Sequence, residues 1–199
     1  MTALLDATNV FRSEDYSVTI RTLIMLLYST RMRIGEAIML DVEDFDIANG
    51  VLIVRNTKFD KTREVPLHRS SVVALSAYLG RDGQPKRHRG TRALFLSTVG
   101  TRLDYNCMQK AFRRLAETAR LMPRSSSCRP RLHDLRHTFA VETILDGYRD
   151  GNEPGNRIAL LSTYLGHVDP ASTYWYLSAA PELMALVGRR LEQSLGEAS

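Results

Sequence analysis

The stretch "GVLIVRNTKFDKTREVPL", Gly50 to Leu67, decides the fold class. It opens with an apolar, β-branched run, crosses a polar centre, "NTKFDKT", and leaves through a second extended run that ends at Pro66. Branched side chains pack well on a pleated surface, so two such runs around a turn-like centre read as a β-hairpin or a small sheet. The sequence around it is helical. Upstream, "TIRTLIMLL" (Thr19 to Leu27) and then Ile34, Ala37, Ile38 and Leu40 recur at helical spacing, which predicts a helix pair joined near "YSTRMR". Downstream, the same spacing predicts helices over Ser70 to Leu79, over Tyr105 to Ala119 and from His133 to about Leu145. "DGYRDGNEPGNR" (Asp146 to Arg157) reads as a loop, and an amphipathic tail, residues 181–199, starts at Pro181, a residue suited to a first helical turn. The expectation is a single α+β domain, mainly helical, with one small sheet or hairpin.

Composition narrows the function classes. A hydrophobic fraction of 44% and a charged fraction of 25% over 199 residues are ordinary for a globular chain with one buried core. No apolar run approaches the roughly 20 residues a membrane span requires, and the N-terminus lacks the basic and apolar regions of a signal peptide. A cytoplasmic location is expected, with Cys107 and Cys128 as thiols. The net charge of +5 permits an anionic partner. Its distribution is more telling, because "GRDGQPKRHRGTR" (Gly80 to Arg92) and "RLMPRSSSCRPR" (Arg120 to Arg131) carry many cations and little acid. Solvated loops and a phosphate-contacting surface both fit that pattern.

The segment "RLHDLRHTFAVETIL" (Arg131 to Leu145) concentrates chemistry. In a helix starting near His133, Arg136 shares its face and His137 lies one turn on. Three readings compete. His137 is packed in the core while Arg136 pairs at the surface with Asp134 or Glu142. Alternatively His133 and His137 ligate zinc with His167, although the glutamate of an HExxH site is missing. In the third, Arg136 clamps phosphate oxygens and His133 moves a proton. Other segments favour the third: Arg33 and Glu36 in "TRMRIGE", Lys58 at the hairpin turn, and His167 followed nine residues later by Tyr176 in "LGHVDPASTYWY".

Taken together, "TRMRIGE", "TKFDKTREVPL", "HDLRH" and "LGHVDPASTYWY" make the chain resemble the catalytic domain of tyrosine recombinases, the phage-integrase family, from about Leu4 to Leu191. The resemblance implies that fold and a site-specific DNA recombinase, of integrase or transposase type. Tyr176 is then the nucleophile that forms a 3′-phosphotyrosine, storing the bond energy so that rejoining needs no ATP. Arg33 and Arg136 hold the nonbridging oxygens, since a guanidinium fork matches phosphate and keeps its charge. Lys58 is implied as the acid for the departing 5′ oxygen, His133 as base or relay for Tyr176, His167 as a further donor, and Glu36 as a buttress. No metal and no cofactor are implied. Double-stranded DNA is the implied partner, bound by a homo- or hetero-oligomer in the cytoplasm, at the nucleoid, with the tail after Pro181 packing on a neighbouring protomer.

Two features depart from the family pattern. Arg31 stands where the first box carries glycine, a residue that tolerates positive φ. The helical core-binding domain that usually precedes the catalytic domain is expected to be absent, as in short invertases or a truncated gene. The long loop at Asp146 to Arg157 and the segment "LSTYLGHVDPASTYWYLSAAPEL" resemble recombinases encoded in sets by transposons, which implies partner recombinases. Two alternatives stay open: a type IB topoisomerase-like relaxing activity, and a DNA-binding remnant or regulator that does not cut. Tyr174 is the rival nucleophile.

Overall fold

The structure, a computed structural model, describes residues 1–55, 62–121 and 130–136. The chain divides into two compact units, Met1–Leu135 and Arg136–Ser199, and Arg136 alone represents the second among the described residues. The first unit is helix-rich with one small sheet, in the order α1 (Thr2–Asp6), a 3-10 turn (Ala7–Val10), α2 (Glu14–Thr30), α3 (Ile34–Met39), a 3-10 turn (Val42–Asp44), β1 (Phe45–Asp46), β2 (Val51–Val54), β3 (Arg63–Pro66), α4 (Arg69–Gly80) and α5 (Tyr105–Thr118).

Helix α2 is the central support. Ser13 starts it by accepting a hydrogen bond from the Tyr16 amide at 3.3 Å, and Glu14 and Asp15 in the first turn complement the positive end of the helix dipole. Ile20, Leu23, Ile24 and Leu27 recur on one face and are fully or nearly fully buried. The helix ends at Arg31 in the left-handed conformation, φ 58° and ψ 14°. This is the position where the family pattern has glycine, and the backbone adopts the geometry glycine suits. The arginine is nonetheless held: its guanidinium carbon lies 4.4 Å from the centre of the Tyr28 ring and the residue is 8% exposed. Cation–π attraction at such a desolvated site offsets backbone strain of about 1–2 kcal/mol.

The expected hairpin is present, widened by a third strand. The sheet is antiparallel in the order β1-β2-β3, with Leu52 opposite Val65 and Val54 opposite Arg63. Leu52, Val54 and Val65 are buried, so one face of the ribbon closes on the helices. The β1–β2 turn is fastened by Asn49, whose amide and side chain both donate to the Asp46 carboxylate, while Gly50 takes φ 64°. Helices α4 and α5 match their expected spans to within a residue or so. Asp104 caps α5 by accepting from the amides of Asn106 and Cys107, and Met108, Phe112 and Leu115 enter the core.

Not anticipated were α1, β1, the two 3-10 turns and the buried run Ala93 to Leu96. That run lies outside the named helices and strands. The Leu94 amide donates to the Leu40 carbonyl at 2.8 Å and the Val42 amide to the Arg92 carbonyl at 2.9 Å, so it is pinned beside the end of α3. The expected helix from His133 begins at 132 and is helical through 136, and the remainder of its span lies outside the described residues. So do the loop at 146–157 and the tail at 181–199. No helix among the described residues is long and apolar enough to cross a membrane.

Candidate active site

Arg33 is the N-cap residue of α3, with extended backbone (φ −70°, ψ 145°). A side chain at that place points away from the helix barrel, and here it is held by a carboxylate one turn on. Glu36 Oε2 accepts from the Arg33 amide at 2.8 Å, and Glu36 Oε1 accepts from Arg33 Nη1 at 3.1 Å. The same Oε2 accepts from Arg63 Nη2 at 2.8 Å, so one carboxylate grips both the backbone and the guanidinium of Arg33 and reaches across to β3. The Glu36 side chain is 10% exposed, that of Arg63 23% and that of Arg33 39%. The pairing of Arg33 with Glu36 is therefore an anchored one with its acid sheltered, and the arginine keeps an open side toward solvent.

His133 and Arg136 lie in the helical turn 132–136. Its start is fixed by Asp134, whose carboxylate accepts from the Arg131 amide at 2.7 Å, one half of a capping box. His133 is exposed, while Arg136 is 3% exposed. Arg136 is thus not at the surface, and the Asp134 carboxylate lies 3.7 Å from Arg131 Nε; the other partner read for Arg136, Glu142, lies outside the described residues. Lys58, His167 and Tyr176, with the rival Tyr174 and the histidine His137, lie outside the described residues.

Sequence reasoning gave Arg63 no role. A signal for it existed. Strand residues alternate between faces, so Arg63 shares a face with Val65, and Val65 is buried. An arginine on the inward face of a strand needs an acid, and Glu36 is that acid. On α5, Arg113 and Arg114 are both exposed, and Arg114 donates to the Val10 carbonyl at 3.1 Å and sits over the Phe11 ring. Arg120 takes a positive φ of 54° just after α5, and Arg124 lies outside the described residues.

The phage integrase family model matches residues 1–182, and the chain belongs to that family. A Sinorhizobium fredii protein named integrase/recombinase y4rB is 42% identical over 172 residues, which cover 84% of this chain and 54% of that protein. The tyrosine recombinase XerD of Mycobacterium tuberculosis is 34% identical over 182 residues, covering 87% of this chain and 53% of its own. The chain thus spans about half the length of the curated relatives it matches. Among solved structures, the XerH site-specific recombinase bound to palindromic difH substrate, a post-cleavage complex, superposes with a TM-score of 0.69 at 23% identity, covering 98% of this chain and 50% of that one. That likeness establishes the fold: the small three-stranded sheet among helices is the architecture of a recombinase catalytic domain.

Proposed function

We propose that the chain is the catalytic part of a site-specific DNA recombinase that cuts and rejoins double-stranded DNA through a 3′-phosphotyrosine. The observation that carries this reading is the mounting of Arg33, fixed by Glu36 on its inner side and open on its outer side within a chain of the phage integrase family. A fixed guanidinium suits a transition state whose charge gathers on nonbridging oxygens, because nothing need reorganise as the charge develops. Tyr176 supplies the phenolic oxygen and forms a new bond to phosphorus as the bond to the 5′ oxygen breaks. Lys58 donates the proton that the departing oxygen takes up, and His133 relays the proton that Tyr176 loses. Arg136 and His167 complete the grip on the phosphate.

The acting assembly is two or more protomers on DNA, either copies of this chain or partner recombinases, in the cytoplasm and at the nucleoid. The y4rB and XerD relatives and the substrate-bound XerH structure support this reading by their names and fold. One catalytic domain, with residues 181–199 as an amphipathic segment that packs on a neighbour, is the domain layout that goes with it.

The test is covalent trapping. The protein is incubated with a pool of nicked duplexes randomised on both sides of the nick, so that the cleaved strand diffuses away and the adduct accumulates. A protein–DNA band that survives denaturant in the wild type and in Tyr174→Phe, and vanishes in Tyr176→Phe, is the expected result. An adduct retained by Tyr176→Phe overturns the assignment of the nucleophile, and its absence from the wild type favours a binding protein that does not cut.

A further inference from the structure

The carboxylate of Glu36 does more than neutralise one neighbour. It receives three hydrogen bonds from two residues: the amide and Nη1 of Arg33, at 2.8 and 3.1 Å, and Nη2 of Arg63, at 2.8 Å. The two arginines come from different elements, Arg33 from the start of α3 and Arg63 from the first position of β3, 27 residues apart in an i–j sense from Glu36 to Arg63. A glutamate side chain has several rotatable bonds. Held only by Arg33 it would swivel with it, as exposed i, i+3 pairs do, and such pairs contribute little. Arg63 changes that by tying Oε2 to the sheet. Strand β3 is locked to β2 along its whole length, from the Val51–Pro66 pair to the Val54–Arg63 pair. The carboxylate is then fixed from two directions, and the guanidinium of Arg33 inherits a fixed orientation from it.

We infer that Arg63 is a positioning residue of the phosphate site: through the shared carboxylate of Glu36 it sets the orientation of Arg33. Arg63 touches no reacting atom in this scheme. The inference rests on the recombinase reading for its consequence in catalysis, while the mechanical coupling of Arg63 to Arg33 stands on the three bonds alone. A planar guanidinium directs its Nη2 donor along a fixed line to Glu36, whereas an ammonium group would pivot on its stem. Five residues before Arg63 in the sequence stands Lys58, so the strand that braces Arg33 is also the strand that leads out of the segment bearing the proposed acid.

The experiment uses the full chain and four variants: Arg63→Met, Arg63→Lys, Arg33→Ala, and Arg33→Ala combined with Arg63→Met. Two quantities are read on the same pool of nicked duplexes, the single-turnover rate of adduct formation and the dissociation constant at one fixed salt concentration. Arg63→Met is expected to slow adduct formation by about 10- to 100-fold, the range for losing part of a preorganised electrostatic contact, while changing the dissociation constant by less than about 2-fold. Arg63→Lys recovers part of the rate. In the Arg33→Ala background, Arg63→Met has no further effect, since its route to the phosphate is gone. Replacing the scissile phosphate by a neutral methylphosphonate, which removes the charge Arg33 holds, shrinks the deficits of Arg63→Met and Arg33→Ala together. Multiplicative effects of the two substitutions, or a slower rate matched by an equal loss of DNA binding, overturn the inference in favour of a general loss of structure. A further readout does not depend on activity. In arginine-labelled protein, the Nη–H resonances of Arg33 show slowed rotation and exchange in the wild type and broaden in Arg63→Met. If the wild type forms no adduct, the recombinase reading falls, and these resonances alone decide the coupling: an unchanged signal overturns it.

Discussion

Glu36→Gln is the substitution on which the structure bears most directly. The change is nearly isosteric, so packing is preserved and the loss is electrostatic. Glutamine keeps one oxygen, which at the Oε2 position still accepts from both Arg63 and the Arg33 amide, but its NH2 group then faces the Arg33 Nη1 donor at the other position. One charge-assisted hydrogen bond of about 1.5–3 kcal/mol, that from Arg33 Nη1, is lost, and the two at the remaining oxygen weaken because the acceptor is no longer an anion. Water reaches the arginines, which are partly exposed, and screening returns part of the loss. The net expectation is a destabilisation of about 2–3 kcal/mol, or a fall in Tm of roughly 5–10 °C for a chain of this size. Glu43→Gln is the control. Its ion pair with Arg92 at 3.2 Å has similar chemistry but is exposed on both sides, so its removal changes stability by no more than about 0.5 kcal/mol. Thermal and urea denaturation of the two variants side by side give the answer. If Glu36→Gln costs no more than Glu43→Gln, the carboxylate is not the anchor described above, and the account of a rigidly mounted Arg33 fails with it.

Two further outcomes are expected. Arg31→Gly relieves the left-handed strain yet removes the stack on Tyr28 and the packing of the buried stem, so it lowers stability by about 1 kcal/mol; a gain in the urea midpoint shows that strain outweighs the stack. Burial, and secondarily the Cys107 thiolate, pushes the Tyr16 phenol above its ordinary pKa. A raised folded pKa favours the protonated native form, so this contribution is complete below the unfolded value near pH ~10 and disappears as pH rises through the folded value. Tyr16→Phe, which keeps the edge-on contact with Phe11, is expected to flatten the alkaline fall in the urea midpoint, and an unaltered fall refutes the linkage.

Most of the elements that sequence periodicity revealed carry a long pattern of their own; the six-residue α3 was read from four apolar residues only. Helices α2 and α5 carry long apolar stripes and side-chain caps, so local pattern and tertiary burial agree. The β2–β3 ribbon was legible because branched residues flank a polar turn. Strand β1 spans only Phe45–Asp46 and has no pattern of its own; it exists because Phe45 finds Leu52 across the ladder. The Ala93 to Leu96 run, four apolar residues in a row, has neither period and is shaped by the carbonyl of Leu40 and the hydroxyl of Tyr78, to which the Leu96 amide donates. Of the candidate site residues, Arg33, His133 and Arg136 were named from short motifs, and Glu36 from its spacing to Arg33. Arg63 was passed over because its role arises from a contact 27 residues distant, which motif spacing does not encode.

Helix α3 has six residues, too few to sustain itself in water. It is clamped at both extremities: Glu36 and Arg63 secure the front, and Arg102 donates to the carbonyls of Ile38 and Leu40 behind. The helix therefore acts as a spindle between two bearings. Adding one residue to it would turn one bearing by about 100° against the other, since 3.6 residues make a turn. Its length is consequently a locked dimension of the scaffold, a constraint that the exposed turn at Asp82 and Gly83 does not share.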